Sequence, residues 1–315
     1  MIAWLVLLQA SLSIAVAGPA TSAEFLPLHV AEAHGDFAAE RLTVTLRQTR
    51  SDAAAAEALG AGSVTLAATS LDAALRLAHA DGRPPILVWG LTAAPPVALL
   101  VSRARADAIR SVADLVGQTV ALPAPGTAED QALGLLLVRA GVPLHRVRLE
   151  SRGERGAVRA LLAGEVPAAM LAEPSVSRLV GEGQAQVLVD LRTAAAAAAA
   201  LGGPTVNAAV FARAGGVPEP ATLHALGAAL QAAIGRMTGG DPAAVAAGLP
   251  AAVIGSPADF AARLAQARDL FLPGGRVSGE ALGASLELIR RRAPLPVVVK
   301  VPRRPERLLA EPPAD

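Results

Sequence analysis

The chain has 315 residues, of which 53% are hydrophobic and 17% charged, and its formal net charge is +1. A chain of this length and hydrophobic content can bury a large core and is long enough for two domains. The near-neutral charge excludes the basic surface that nucleic-acid binding requires, so we expect no nucleic-acid partner. The absence of cysteine excludes disulfides, thiolate nucleophiles, cysteine-ligated zinc and a lipid-modified N-terminal cysteine.

The N-terminal segment, residues 1–10 (MIAWLVLLQA), is apolar and ends in a small residue, as a secretory signal peptide does. It carries no Lys or Arg before the apolar run, and it is shorter than the ~20 residues that a membrane-spanning helix needs. We interpret it as part of a signal peptide and therefore expect the mature protein in the periplasm.

From Ser11 onward, short β-rich runs alternate with Ala- and Leu-rich helical stretches, the pattern of βα units on a largely parallel sheet. The first series predicts strands at residues 12–17, 43–48, 64–68 and 86–90, with helices at 28–41, 52–61 and 71–80. The second series predicts strands at residues 97–102, 119–122, 147–150, 168–171 and 187–190, with helices at 128–140, 156–163 and 175–182. Two successive series predict two α/β lobes.

After the second series the pattern becomes almost wholly helical. Residues 194–200 are an uninterrupted Ala run, which we interpret as a short helical spacer without chemistry. One more strand is predicted at 205–212, followed by helices at 220–237, 242–247, 257–271 and 278–292, several with Pro near the start. The C-terminal tail, residues 293–315, is rich in Pro and Arg, with a strand predicted at 297–301.

Three segments carry a family resemblance. Residues 28–37 (LHVAEAHGDF) resemble the pattern P-x-x-V-A-x-x-x-G-x-F-x-x-E-G-L, residues 111–121 (SVADLVGQTVA) resemble S-V-A-D-L-K-G-K-x-V-A, and residues 168–174 (AAMLAEP) resemble the strand end D-A-x-x-x-x-E-P. Over roughly residues 11–231, the chain resembles the sulfonate/nitrate/taurine and thiamine-pyrimidine-type solute-binding proteins of ABC importers. Arg41 stands where the family usually has Gly, Thr65 where it often has Asp, and Ser175 where an aromatic residue is common.

The resemblance implies a type II periplasmic binding protein fold: two Rossmann-like α/β lobes joined by a two-segment hinge, here residues 91–101 and 204–211. The implied domains are the signal segment 1–10, lobe 1 from 11–97 and 204–292, lobe 2 from 98–203, and the tail 293–315. Such a protein binds a small molecule between its lobes and docks on the membrane permease of an ABC importer. We expect it to be a monomer.

Candidate ligand contacts come from strand ends, because open α/β sheets bind ligands in the crevice outside the carboxyl ends of their strands. The predicted contacts lie at such ends or in the first crossover: Thr21, Ser22, Glu24, Phe25, Thr69, Ser70, Thr92, Gly126, Thr127, Arg152 and Glu173. Alternative roles stay open for several of them. The first loop also suits an ordinary helix cap, and Thr69 and Ser70 suit one equally well.

The polar candidates point to two different ligand classes. Thr127, with Gly126 beside it, begins a helix whose free amides suit an anion, and Arg152 can grip an anionic group, although it equally suits a solvated loop. Glu24 and Glu173 favour an amine-bearing heterocycle or a polyol, and Glu173 is as consistent with an ion pair to an Arg. A sulfonate, nitrate or taurine-like ligand is the first hypothesis, and a thiamine precursor or flavin-type heterocycle is the alternative.

The sequence predicts no catalytic residue, no cofactor and no metal site. Its five His, at positions 29, 34, 79, 145 and 224, lack metal-ligand spacing, and neither a nucleophile elbow nor a phosphate-binding loop occurs. A cytoplasmic enzyme on the same fold is an alternative, favoured if a cavity holds Glu24, Glu129 and Glu173 with strongly shifted pKa values. A cytoplasmic ligand sensor is another, although it requires a partner or a DNA-binding module that this chain lacks.

Overall fold

The computed structural model describes residues 10–79 and 82–310. Residues 1–9 of the predicted signal segment and residues 311–315 of the predicted tail lie outside the described residues. The described strands are β1 (Ala10–Val16), β2 (Leu42–Gln48), β3 (Leu66–Ser70), β4 (Ile86–Thr92), β5 (Val97–Ser102), β6 (Thr119–Leu122), β7 (Arg148–Ser151), β8 (Ala168–Ala172), β9 (Ala185–Asp190) and β10 (Ala208–Ala212).

Helices flank these strands on both faces. They are α1 (Leu26–Ala33), α2 (Asp36–Ala39), α3 (Asp52–Gly60), α4 (Leu71–Leu77), α5 (Ala128–Arg139), α6 (Gly153–Leu162), α7 (Ser175–Gly181), α8 (Ala194–Leu201), α9 (Pro220–Gly239), α10 (Pro242–Ala246), α11 (Ala251–Ile254), α12 (Pro257–Ala267) and α13 (Gly279–Arg292). In the described part of the chain, no helix is both long and apolar enough to span a bilayer.

The strands form two separate five-stranded sheets, with the orders β2-β1-β3-β10-β4 and β7-β6-β8-β5-β9. In the first sheet β1 pairs parallel with β2 and β3. In the second sheet β6 pairs parallel with β7 and β8. The inner strands are buried on both faces, which explains why they read as continuous apolar or Ala-rich runs in the sequence.

Each sheet also contains one antiparallel strand, which the sequence analysis, with its largely parallel sheets, did not predict. The chain enters the second sheet directly from the first, without an intervening helix, so β5 runs against β8 and β9. After the second crossing, which contains α8, β10 returns into the first sheet antiparallel to β3 and β4. The result is two mixed sheets.

The chain crosses between the sheets twice, at residues 93–96 and at residues 191–207. The crossings lie side by side, because the Asn207 amide donates to the Thr92 carbonyl at 2.9 Å and the Thr205 hydroxyl donates to the Ala93 carbonyl at 2.8 Å. The expected crossovers, residues 91–101 and 204–211, overlap these segments, but their outer parts belong to β5 and β10.

Local backbone conformation explains where single helices and strands differ from expectation. The helix expected at 28–41 is two helices, because Gly35 adopts a left-handed conformation (φ 74°) between α1 and α2. Arg41, at the position where the resembling family has Gly, is left-handed as well, with φ 59°. The strand expected at 297–301 is absent. Instead, Leu309 pairs with Leu87 of β4 in a single β-bridge.

A truncation in the second sheet tests how much its core contributes to stability. Leu99 on β5 is fully buried, so Leu99→Ala should lower the free energy of unfolding by about 2–5 kcal/mol through lost burial and the cavity left behind. The same change at Leu144, which is 48% exposed, should cost no more than about 0.5 kcal/mol. Urea denaturation of both variants checks this, and equal losses would contradict the assigned core.

Candidate functional site

A cavity of about 420 Å³ lies between the two sheets, at the carboxyl ends of their strands. The first sheet contributes the loop after β1 and the start of α3, and the second contributes the loops after β6 and β8. Its polar and charged lining residues are Thr21, Ser22, Glu24, Arg50, Ser51, Asp52, Thr127, Glu129, Glu154, Glu173 and Arg263. This volume suits a small organic molecule.

A wider groove of about 720 Å³ lies elsewhere, beside β4 and Trp89. Its lining includes several glycines, alanines and aliphatic side chains, with His224 and Arg276 as its ionisable groups. The smaller cavity between the sheets is the better candidate, because it gathers charged groups from both sheets.

Glu24 is a buried ionisable group of the cavity, in the short 3-10 turn Ala23–Phe25 after β1, and is only 6% exposed. Its carboxylate accepts hydrogen bonds from the Ser22 hydroxyl at 3.1 Å and from the side-chain amide of Asn207 in the second crossing. Burial, reinforced by the charge of Asp52, raises the pKa of Glu24 from its ordinary value of 4.5 to about 8. Glu24 is therefore largely protonated at neutral pH.

Asp52 occupies the first turn of α3, where it joins the ends of two strands. Its Oδ1 accepts the Ser70 amide at 2.6 Å and the Thr69 hydroxyl at 3.1 Å. Burial raises the pKa of Asp52, while the hydrogen bond from Ser70 opposes that rise. Asp52 thus holds the end of β3 and presents a second carboxyl group to the cavity.

The loop after β6 and the start of α5 form one wall of the cavity. Gly126, with φ 75°, donates its amide to Asp130 Oδ2 at 2.9 Å, and the Thr127 hydroxyl donates to the Ala124 carbonyl at 3.0 Å. Glu129, in the first turn of α5, lines the cavity, and burial raises its pKa. The helix N-terminus is therefore complemented by acidic side chains of its own first turn.

Glu173 follows β8 and is held by a cation. It accepts hydrogen bonds from the Arg192 guanidinium and from the Ser177 hydroxyl at 2.9 Å and the Ser177 amide at 3.1 Å. Arg192 also pairs with Asp190 at 2.8 Å. The ion-pair alternative considered for Glu173 is what the structure contains, although Glu173 also lines the cavity.

Arg263 of α12 reaches the cavity from a helix far along the chain. Although it is 8% exposed, its guanidinium donates to backbone carbonyls: those of Thr21, of Val253 at 3.1 Å and of Ile254 at 2.6 Å. Arg263 therefore fixes the loop after β1 against the segment that precedes α12. Across the described residues, no group of three His, Asp or Glu side chains is placed to hold a metal ion.

A family model described as NMT1/THI5 like matches residues 22–211, which include most of this cavity wall. The chain belongs to the NMT1/THI5-like family. No curated protein matches the chain significantly.

Solved structures share the fold of this NMT1/THI5-like chain. A protein of Bordetella bronchiseptica RB50 matches with a TM-score of 0.72 and 23% identity, covering 95% of this chain and 96% of its own. The alkanesulfonate-binding protein SsuA from Xanthomonas axonopodis pv. citri, bound to MOPS, matches with a TM-score of 0.65 and 22% identity, covering 95% and 98%. The periplasmic nitrate-binding protein NrtA from Synechocystis PCC 6803 matches with a TM-score of 0.54 and 13% identity, covering 82% and 69%. The predicted fold class is confirmed.

The structure of the NMT1/THI5-like chain brings six of the predicted contacts together at the cavity: Thr21, Ser22, Glu24, Gly126, Thr127 and Glu173. The other five do not line it. Phe25 packs in the core of the first sheet, because its side chain turns inward from the 3-10 turn. Thr69 and Ser70 are engaged by Asp52, as described above, and Ser70 also caps α4 through the Ala73 amide at 3.3 Å.

Thr92 and Arg152 lie away from the cavity for different reasons. Thr92 is buried at the end of β4, where its carbonyl receives the Asn207 amide. Arg152 follows β7, the edge strand of the second sheet, and pairs with Glu150 at 2.7 Å and Glu165 at 2.5 Å. These two ion pairs hold its guanidinium outside the cavity, although Glu154, two residues later, lines it.

Sequence reasoning missed several cavity residues. Asp52 offered a signal, since a Ser-Asp pair directly after β2 marks both a strand end and a helix start. Glu129 was not among the predicted ligand contacts and was named only for the alternative enzyme, in a cavity with Glu24 and Glu173. Glu154, Arg50 and Arg263 follow no motif, and Arg263 reaches the cavity only through the packing of α12 against the loop after β1.

The raised pKa of Glu24 predicts a pH-dependent stability. Between about pH 4.5 and 8 the folded protein holds a proton that the unfolded chain has released. The free energy of unfolding should therefore fall as pH rises through this window, by at most about 1.4 kcal/mol per pH unit relative to Glu24→Gln. Denaturation of both proteins across the range measures the difference, and parallel profiles would show that Glu24 has an ordinary pKa.

Proposed function

We propose that this chain is the periplasmic solute-binding component of an ABC importer. The observation that carries the proposal is the cavity of about 420 Å³ enclosed between two sheets, lined by the carboxyl ends of strands from both. A site built equally by two lobes binds its ligand best when the lobes approach each other. The names of the similar structures, an alkanesulfonate-binding and a nitrate-binding protein, support the same function.

The two crossings supply the hinge for this proposal. They are the connections between the sheets, and they lie together, so one lobe can rotate against the other with few backbone changes. A ligand that contacts both lobes stabilises the closed form by its differential contacts. The closed form then docks, as a monomer, on the membrane permease, and no covalent chemistry takes place.

An enzyme on the same fold is the second candidate, because one observation favours it. Glu24, Glu129 and Glu173 all line the cavity, and burial raises the pKa of the first two. Acid–base catalysis uses such groups. Mass spectrometry of the solute after incubation separates the candidates: an importer component returns it unchanged, whereas an enzyme returns product.

A substitution that fills the cavity tests the binding site. Ala124, in the loop after β6, is half-buried and lines the cavity, so Ala124→Trp should occupy the ligand's space. A ligand at a hundred times its Kd stabilises the wild type by about 2.7 kcal/mol, and the variant should lose that gain. Thermal unfolding with and without solute provides the measurement.

The matched control is Ala163→Trp, at the exposed end of α6. It introduces the same side chain away from the cavity and should retain the full stabilisation by ligand. If Ala124→Trp binds the solute as tightly as the wild type, the solute binds at another site on the molecule.

A further inference from the structure

The cavity between the sheets is lined by more carboxyl groups than guanidinium groups. Its acidic residues are Glu24, Asp52, Glu129, Glu154 and Glu173, and its basic residues are Arg50 and Arg263. The first sheet contributes two of these carboxyl groups and the second sheet contributes three. A ligand between the lobes therefore meets carboxyl groups on both sides.

The features that favoured an anionic ligand are engaged by the protein itself. The amides at the start of α5 face their own acidic first turn, where Gly126 already donates to Asp130. Arg152 lies outside the cavity and is paired with Glu150 and Glu165. The Gly126 amide and the Arg152 guanidinium are therefore already paired within the protein.

The two guanidinium groups of the lining do not offset the carboxyl groups either. Arg263 donates to three backbone carbonyls, which fixes its orientation toward the loop and α11. Arg50 is exposed to solvent, where the field of a charge is weakened. An oxyanion that enters the cavity would lose its hydrogen bonds to water. It would not gain a buried cationic side chain that is free of other partners.

Among the buried carboxyl groups, Glu173 is paired with Arg192, whereas Glu24 and Asp52 are held by neutral donors. Glu24 accepts from a hydroxyl and an amide, and Asp52 accepts from a hydroxyl and a backbone amide. Burial and mutual repulsion raise the pKa of Glu24, with Asp52 and then Glu129 as the contributing charges. A positive group placed among them would relieve that repulsion.

We infer, on the basis of the proposed function, that the cleft binds an organic solute whose polar end is a protonated amine or amidine rather than a sulfonate or nitrate. The amine or amidine would donate hydrogen bonds to Glu24 and Glu129, from opposite walls of the cavity. The hydrocarbon part of the solute would contact the apolar lining that Pro96, Val97 and Ala172 provide.

The test uses two trios of compounds, each sharing one aromatic group and differing in the charge of the polar end. The phenyl trio is benzamidine, benzamide and benzenesulfonate, and the benzyl trio is phenethylamine, phenylacetamide and phenylmethanesulfonate. Binding to the wild type and to the cavity-filled Ala124→Trp variant is measured by calorimetry at pH 7. We expect the cation of each trio to bind at least tenfold more tightly than its sulfonate, and only where the cavity is open.

Two charge variants identify the groups responsible. Glu24→Gln and Glu129→Gln keep the side-chain shape but cannot ionise beside a bound cation, so each should reduce the preference for the cation over the sulfonate by about tenfold. Glu57→Gln removes an exposed carboxylate from α3, the helix that carries Asp52, and should leave the preference unchanged.

Proton release gives an independent readout. A cation beside Glu24, which faces Asp52 on α3, Glu129 on α5 and the amide of Asn207, should lower its pKa and release a proton at pH 7. Calorimetry in two buffers of different ionisation enthalpy detects that proton. Glu24→Gln should abolish the difference between the buffers.

The outcomes separate the inference from the proposed function. A sulfonate that binds the open cavity more tightly than its cationic partner overturns the inference and leaves solute binding intact. An unchanged charge preference in both Gln variants overturns it as well. If none of the six compounds binds the open cavity, the inference is rejected, whereas the proposed function is rejected only if Ala124→Trp retains the stabilisation by solute.

Discussion

Every feature of the cleft depends on the way the chain crosses between its two sheets. Both crossings are tied together by backbone and side-chain hydrogen bonds, from Asn207 to Thr92 and from Thr205 to Ala93. These bonds hold the carboxyl ends of the two sets of strands opposite each other, and the space between them is the cavity. Asn207 also donates to Glu24, so the crossing directly contacts a buried ionisable group of the cavity.

That arrangement places carboxyl groups where their ionisation is unfavourable. Glu24, Asp52 and Glu129 are held in a partly desolvated space, and for each of them burial raises the pKa. Such burial lowers stability and is typical of sites in which strain is retained for function. Under the proposed function, a ligand that supplies positive charge or N–H donors would recover part of that free energy and so couple binding to closure of the two lobes.

The sequence predicted the elements of the fold better than their directions and contacts. The strands Val97–Ser102 and Thr119–Leu122 were placed at their observed bounds, because a buried apolar run ends where turn residues begin. The antiparallel direction of β5 and β10 depends on chain topology, which no local pattern encodes. At the site, Thr21, Ser22 and Glu24 could be predicted because they follow a strand end. The position of Arg263 could not, because it depends on contacts between residues more than 200 positions apart.

The most direct test of the account measures closure itself. The chain contains no cysteine, so Glu57→Cys on α3 and Arg155→Cys on α6, both exposed, provide two unique sites for fluorescent labels. The account predicts that the tightest binder of the compounds above shifts single-molecule energy transfer to one population with a shorter distance between the labels. Saturated binding with an unchanged distance distribution would contradict hinge closure around the cavity.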